Sequence, residues 1–268
     1  MKRLELFEFE DYSWLPSLIR NGVTNLIQVL HTISGSPELI SEILLKIRRE
    51  YDFKQIVDLG SGSGGPMIDT IKLMNKDNEV KKLSLLLSDL HPNPTAIEKI
   101  KNSNNPLISY HPEPINATDL KDTPAGLKTM IASFHHMNPA KAREILHSAK
   151  KNKQAIFIYE IRQNNIPTLL WWIALPLSLV ILFIMAWIMT PFVKGLGWKQ
   201  IIFTYLIPII PLVYAWDGQA SLMRTYTFKD IESMIDDFDE DQYKWSIDAA
   251  EKSNGKKQGY FIKGIPKN

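Results

Sequence analysis

The chain has 268 residues, with 31 Lys and Arg against 29 Asp and Glu for a formal charge of +2, 45% hydrophobic residues and no cysteine. Its length suits one α/β domain with additions, and its near charge balance offers no broad basic face for a nucleic-acid backbone. The missing cysteines exclude disulfides, thiolate metal sites and thiol nucleophiles, and they fit a reducing, cytoplasmic setting.

The first residues mix acids with aromatics and lack the apolar core of an export signal, so none is expected. From Trp14 to Tyr51 apolar residues recur at helical spacing, through Leu15, Ile19, Val23, Leu26 and Leu30, then Ile40, Ile43, Leu44 and Ile47. Gly35-Ser36-Pro37 interrupts them, which predicts two or three helices forming an N-terminal cap over 1–50. Next come a β-prone run, Gln55 to Leu59, the glycine-rich stretch Gly60 to Gly65, and a helical pattern from about Met67 to Met74.

The alternation continues with a strand over Leu83 to Leu87, a helix over Pro94 to Ile100, a short strand near Ile108 and a strand over Thr129 to Ser133. A helix over Ala140 to Ala149 and a strand over Ala155 to Glu160 complete it. Strands alternating with helices imply a parallel, helix-covered sheet.

The composition then changes. Ile166 to Val193 is 28 residues without a charge, and Ile201 to Trp216 is a second uncharged run broken by Pro208 and Pro211. The first is long enough to cross a hydrocarbon core, despite Pro176; the second is short for a span. Trp171, Trp172, Trp187 and Trp198 suit interfacial anchoring, while Lys194 and Lys199 in the turn disfavour translocation. Three readings stay open for this insertion over 166–216: a spanning hairpin, a hairpin dipped into one leaflet, and an apolar lid or dimer interface of a soluble protein. From Asp217 ordinary sequence resumes, with Asp217 to Thr227 as a re-entry segment, a helix over Phe228 to Asp237, and closing strands at Tyr243 to Ile247 and Tyr260 to Ile262.

Glycines between a first strand and a first helix let backbone approach a ligand closely and leave helix N–H groups available to it. Asp58-Leu59-Gly60-Ser61-Gly62-Ser63-Gly64-Gly65 resembles motif I of the class I (Rossmann-like) methyltransferases that use S-adenosylmethionine (SAM). The resemblance runs in order from Ile56 to Glu160 and includes an antiparallel closing hairpin. It implies a seven-stranded sheet made by 51–165 and 217–268, with an apolar helical hairpin between strands 5 and 6.

The resemblance further implies SAM as cofactor, with Gly60, Ser61 and Gly62 beneath it and Asp58 toward its amino-acid portion. Asp89 and Leu90 at the end of strand 2 would meet the ribose, since an acid at that position accepts hydrogen bonds from sugar hydroxyls. Asn116 and Ala117 would lie near adenine, and Ser133 beside the methyl group. His135 and His136 follow Ser133 on the rim where α/β sheets bind ligands, and either suits the role of base for a hydroxyl acceptor. Glu160, Arg162 and Arg224 are candidates for acceptor contacts, an ion pair being the alternative for each. His91 is read as shaping a turn, and no metal site is expected. The apolar insertion suggests a small lipophilic acceptor, an oxygen acceptor first, and a membrane-associated protein with its catalytic domain on the cytoplasmic side. Nucleic acid is not an expected partner, and a scaffold that binds the cofactor without turnover is the alternative.

Overall fold

The computed structural model describes residues 3–76, 82–236, 238 and 242–267. The chain divides into two compact units, one made of Gly35–Arg162 with Phe228–Asn268 and the other of Met1–Ser34 with Gln163–Thr227.

The first unit is built on a seven-stranded sheet of order β3-β2-β1-β4-β5-β7-β6. Its strands are β1 (Gln55–Leu59), β2 (Ser84–Ser88), β3 (Ile108–Tyr110), β4 (Leu127–Ile131), β5 (Ile156–Glu160), β6 (Tyr243–Glu251) and β7 (Lys257–Pro266). The first five pair in parallel, and β7 runs antiparallel to both β5 and β6. Parallel strands are covered on both faces and so read as nearly continuous apolar runs; β5, Ile-Phe-Ile-Tyr-Glu, is buried throughout.

Helices α2 (Ser36–Glu50), α3 (Met67–Met74), α4 (Pro94–Asn102), α5 (Pro139–Lys151) and α9 (Phe228–Ile235) belong to this unit. The end predicted for α9 at Asp237 lies outside the described residues. α2 buries Leu39, Ile40, Ile43, Leu44 and Ile47 in the core around the sheet, each such side chain stabilising by about 1.5–3 kcal/mol. α4 and α5 start at asparagine caps whose side-chain oxygens accept backbone N–H groups, Asn93 from Thr95 and Asn138 from Lys141. Each cap is followed by proline at the first helical position, where no N–H is required.

One strand is displaced from its predicted place. β4 begins at Leu127 rather than Thr129, because Lys128 lies inside the strand, fully buried, with its ammonium donating to the carbonyls of Pro124 and Gly126.

The second unit contains α1 (Ser17–Ser34), α6 (Thr168–Met189), α7 (Trp198–Ile201) and α8 (Ile209–Arg224). α7 continues as a π-helical turn over Ile202–Leu206 and then bends by 76° into α8. Pro208 causes the break, since it lacks an N–H and collides with the preceding turn. Leu26 and Val29 of α1, Ala186 of α6, and Ile210 and Val213 of α8 share one core. The re-entry segment from Asp217 is helical through Arg224. Its polar residues find partners within the unit: Asp217 accepts the N–H groups of Phe9 and Glu10, Gln219 accepts Trp171 Nε1–H, and Arg224 pairs with Glu8 and Asp11.

Candidate active site

The parallel strands bring the ends of β1, β2, β4 and β5 to one rim of the sheet, where open α/β sheets place ligands. There the chain turns through Gly60 and Gly62 with φ of +67° and +52°, a left-handed conformation that glycine adopts without a Cβ penalty. A Cβ added at Gly62 would meet nothing within 4 Å, so this loop faces open space.

The Gly62 peptide is held on both sides. Its N–H donates to Asp89 Oδ2 at 2.9 Å, and its carbonyl accepts Tyr110 Oη–H at 2.9 Å. Asp89 Oδ1 also accepts the N–H of His91 at 2.9 Å, which makes that histidine's backbone part of the turn. Leu90 is 45% exposed beside this carboxylate, an apolar surface at the rim. Burial, reinforced by the Asp89 charge, pushes Tyr110 up to about 12, so its hydroxyl keeps its proton and stays a donor. Tyr110 carries no signal of this role in the sequence; an aromatic ending a short strand is common, and only the folded loop assigns its hydroxyl.

Asp58 lies beneath the loop, buried. Its Oδ1 accepts Thr129 Oγ1–H at 2.6 Å and its Oδ2 accepts Ser61 Oγ–H at 2.7 Å. Ser61 Oγ in turn accepts the N–H of Ser88 at 3.1 Å. Asp58 thus ties the loop, through Ser61, to β4, through Thr129. Burial pushes the Asp58 carboxyl up to about 7; the bonds from Thr129 and Ser61 oppose this and the Asp89 charge adds to it.

Asn116 is exposed, with its side-chain oxygen accepting the N–H and hydroxyl of Thr118. It forms a local turn that also sets Ala117. Ile115 N–H donates to the Asp89 carbonyl at 2.9 Å, which ties this turn to the end of β2.

Ser133 follows β4. Its hydroxyl oxygen is buried without a hydrogen-bond partner among the described residues and lies 3.5 Å from where a Cβ on Gly60 would be. Unpaired buried hydroxyls are uncommon and point to an absent partner.

His135 and His136 sit in a short 3₁₀ turn, Phe134–His136, with ring centroids 4.3 Å apart. Glu160, at the end of β5, accepts the His135 backbone N–H at 3.0 Å and contacts its Nδ1 at 2.9 Å. Glu160 is 2% exposed, so the acid expected at the acceptor instead orients a histidine. An ionised carboxylate there requires Nδ1 to carry the proton, which leaves the lone pair on Nε2.

Arg224 is held by an ion pair. It belongs to the helical unit, where its guanidinium meets Glu8 Oε1 at 3.1 Å and Asp11 Oδ2. A buried guanidinium needs such partners, and its assignment to an anionic acceptor gives way to the ion-pair alternative.

The strand order, with β7 antiparallel between β5 and β6, decides the architecture. The chain has the class I methyltransferase fold. No family model matches it, and no curated protein sequence does. Among solved structures, the plantazolicin methyltransferase BpumL in complex with SAH aligns at 11% identity over 93% of this chain and 97% of its own, with a TM-score of 0.51. BpumL in complex with a monoazolic desmethylPZN analog and SAH gives the same identity and coverage and a TM-score of 0.50. At this identity the likeness concerns the fold, and the chemistry rests on the rim itself.

Proposed function

We propose that this chain transfers a methyl group from SAM to a small lipophilic acceptor, an oxygen acceptor first, at a membrane. The observation that carries the cofactor assignment is the Gly62 peptide fixed between Asp89 and Tyr110, beside open space on the sheet rim. The unpartnered Ser133 hydroxyl next to Gly60 fits the same group.

In this reading Asp89 accepts ribose hydroxyls, Leu90 supplies an apolar contact, and the turn at Asn116 and Ala117 lies toward the base. The loop of Gly60, Ser61 and Gly62 carries the amino-acid end, with Asp58 stiffening it from below. When bound, SAM supplies a methyl group on a positive sulfur, open to in-line displacement. The protein's own contribution is alignment and proton removal. His135 is the base: Glu160 fixes its tautomer, and Nε2 takes the proton of an acceptor hydroxyl. His136 packs on that ring and lines the acceptor side.

The lipophilic acceptor and the membrane rest on the helical unit. Its segment Thr168–Phe192 is 25 residues long; the most apolar 18-residue stretch within it has a mean hydropathy of 2.5 and is only 22% buried. The sheet unit would work on the cytoplasmic side.

Calorimetric titration of the detergent-solubilised protein with SAM, wild type against Asp89→Ala, tests the cofactor assignment. Micromolar binding that the variant loses supports it; a folded wild type that binds no SAM overturns it. Binding without methyl transfer to any lipophilic extract would select the scaffold alternative.

A further inference from the structure

We propose that the helical unit is a monotopic membrane anchor: α6 lies along one leaflet beneath α1 and α8, and no segment of the hairpin crosses the bilayer. This rests on the membrane reading above and decides between its two forms.

α6 buries a single stripe, Trp171, Leu175, Leu182, Ala186 and Met189, and turns the rest of its circumference outward. Ile173, Leu177 and Ile188 are each more than 60% exposed, at the start, middle and end of the helix. A surface this apolar and continuous marks contact with another apolar phase. At 22 residues α6 is about 33 Å long, so length alone would also permit a span.

The helices beside α6 forbid it. A spanning hairpin must hold its tip about 30 Å from the polar surface where it starts. Here Gly218 of α8 packs on Leu182, two-thirds of the way along α6. Were α6 to span, the neighbouring Asp217 would lie well inside the hydrocarbon, together with the backbone of Phe9 and Glu10 that it binds at 2.8 and 3.2 Å. Irregular, charged backbone of this kind is not placed against lipid tails.

α1 gives an independent measure. Near its start Arg20 donates to the carbonyls of Glu10 and Tyr12. Asn25 Nδ2 donates to Gln200 of the hairpin tip at 2.9 Å. Arg20 and Asn25 are five residues apart, so the charged N-terminal segment and the tip are separated by only about 7.5 Å along that helix. Both belong to one side of the membrane.

The tip suits the headgroup layer. Trp198 is 66% exposed, and the Lys199 ammonium lies 5.7 Å from its ring centre. An indole with an adjacent cation matches an interface bearing anionic phospholipids.

The native chain has no cysteine, so single cysteines report position directly. Full-length Lys199→Cys and Asn254→Cys proteins, the latter at an exposed turn of the sheet unit, are added to preformed vesicles of phosphatidylcholine and phosphatidylglycerol. They are then treated with a membrane-impermeant maleimide. The expected result is flotation with the vesicles and labelling of Lys199→Cys from outside as fast as Asn254→Cys. Labelling of Lys199→Cys only after detergent lysis would mean a spanning hairpin and overturn the proposal. Failure to float would remove the membrane altogether, while leaving methyl transfer to its own calorimetric test. Phe192→Cys, 64% exposed, serves the same comparison should the Lys199 variant misfold.

Discussion

Glu160 holds His135 at two points, its backbone N–H at 3.0 Å and its ring Nδ1 at 2.9 Å, and both side chains are buried. Such a grip fixes ring orientation and tautomer together. His135→Ala should therefore lower turnover by about 10²–10⁴-fold, the usual contribution of a positioned base. Glu160→Gln should lower kcat less, about 10-fold or more, and change its pH profile, because an amide can present its NH₂ to Nδ1 and invert the tautomer. SAM affinity should stay the same in both. Steady-state kinetics against pH, with calorimetry for the cofactor, checks this; unchanged kcat in both variants would remove the base from His135.

The Gly62 peptide separates two contributions to cofactor affinity. Asp89→Ala removes the proposed ribose acceptor and the partner of Gly62 N–H, so Kd for SAM should rise about 10²-fold, as expected for charge-assisted bonds of about 1.5–3 kcal/mol. Tyr110→Phe removes only the bond to the Gly62 carbonyl, and a loss of about 1 kcal/mol should raise Kd about 5-fold with kcat unchanged. Calorimetric titration of both variants measures the ratio. Equal Kd for Tyr110→Phe and wild type would show that the loop holds its shape without the hydroxyl.

Asp58 makes stability depend on pH. Its carboxyl moves from 3.8 up to about 7 on folding. Below about pH 4 both states are protonated, and between about 4 and 7 the unfolded chain ionises while the fold keeps its proton. The contribution present at low pH is thus lost as pH rises through about 7. Three pH units correspond to about 4 kcal/mol, an upper bound for one group. Asp58→Asn should remove this slope: the neutral amide stands in for the protonated carboxyl, so denaturant midpoints of wild type and variant should lie close together near pH 4 and separate as pH rises, with the variant the more stable at pH 8. Parallel pH curves would refute the assignment.

Much of the sheet was legible because each element carries its own local signal. Gln55 to Leu59 is an apolar run before glycines, and Asn93-Pro94 and Asn138-Pro139 pair a cap with a proline. What was hidden depended on partners distant in sequence. Lys128 obscured the start of β4, since a lysine inside a strand is tolerated only through the carbonyls of Pro124 and Gly126. Asp217 and Arg224 read as parts of a re-entry segment after the hairpin; they lie in α8, satisfied by residues more than 200 positions earlier. His135 and Glu160 were each singled out for the rim, but a pairing across 25 residues has no sequence period to reveal it.

β7 passes the end of β5 at close quarters. Gly259 has φ +74°, and a Cβ placed there would lie 1.8 Å from the Glu160 carbonyl oxygen and 2.7 Å from the Ile161 carbonyl carbon. Both obstacles are backbone, so no side-chain rotation relieves them, and the left-handed conformation adds its own cost. Gly259→Ala must push β7 from β5 at the residue that orients His135. The variant should lose roughly 2–3 kcal/mol or more of stability, in the range of overpacked sites. It should also lose turnover disproportionately to SAM binding, because the glycine loop lies on the other side of β4 while Glu160 sits at the displaced register. Thermal melting with parallel kinetics and calorimetry distinguishes the effects. Intact turnover in a destabilised but folded variant would show that Glu160 keeps its hold on His135 without the close approach of β7.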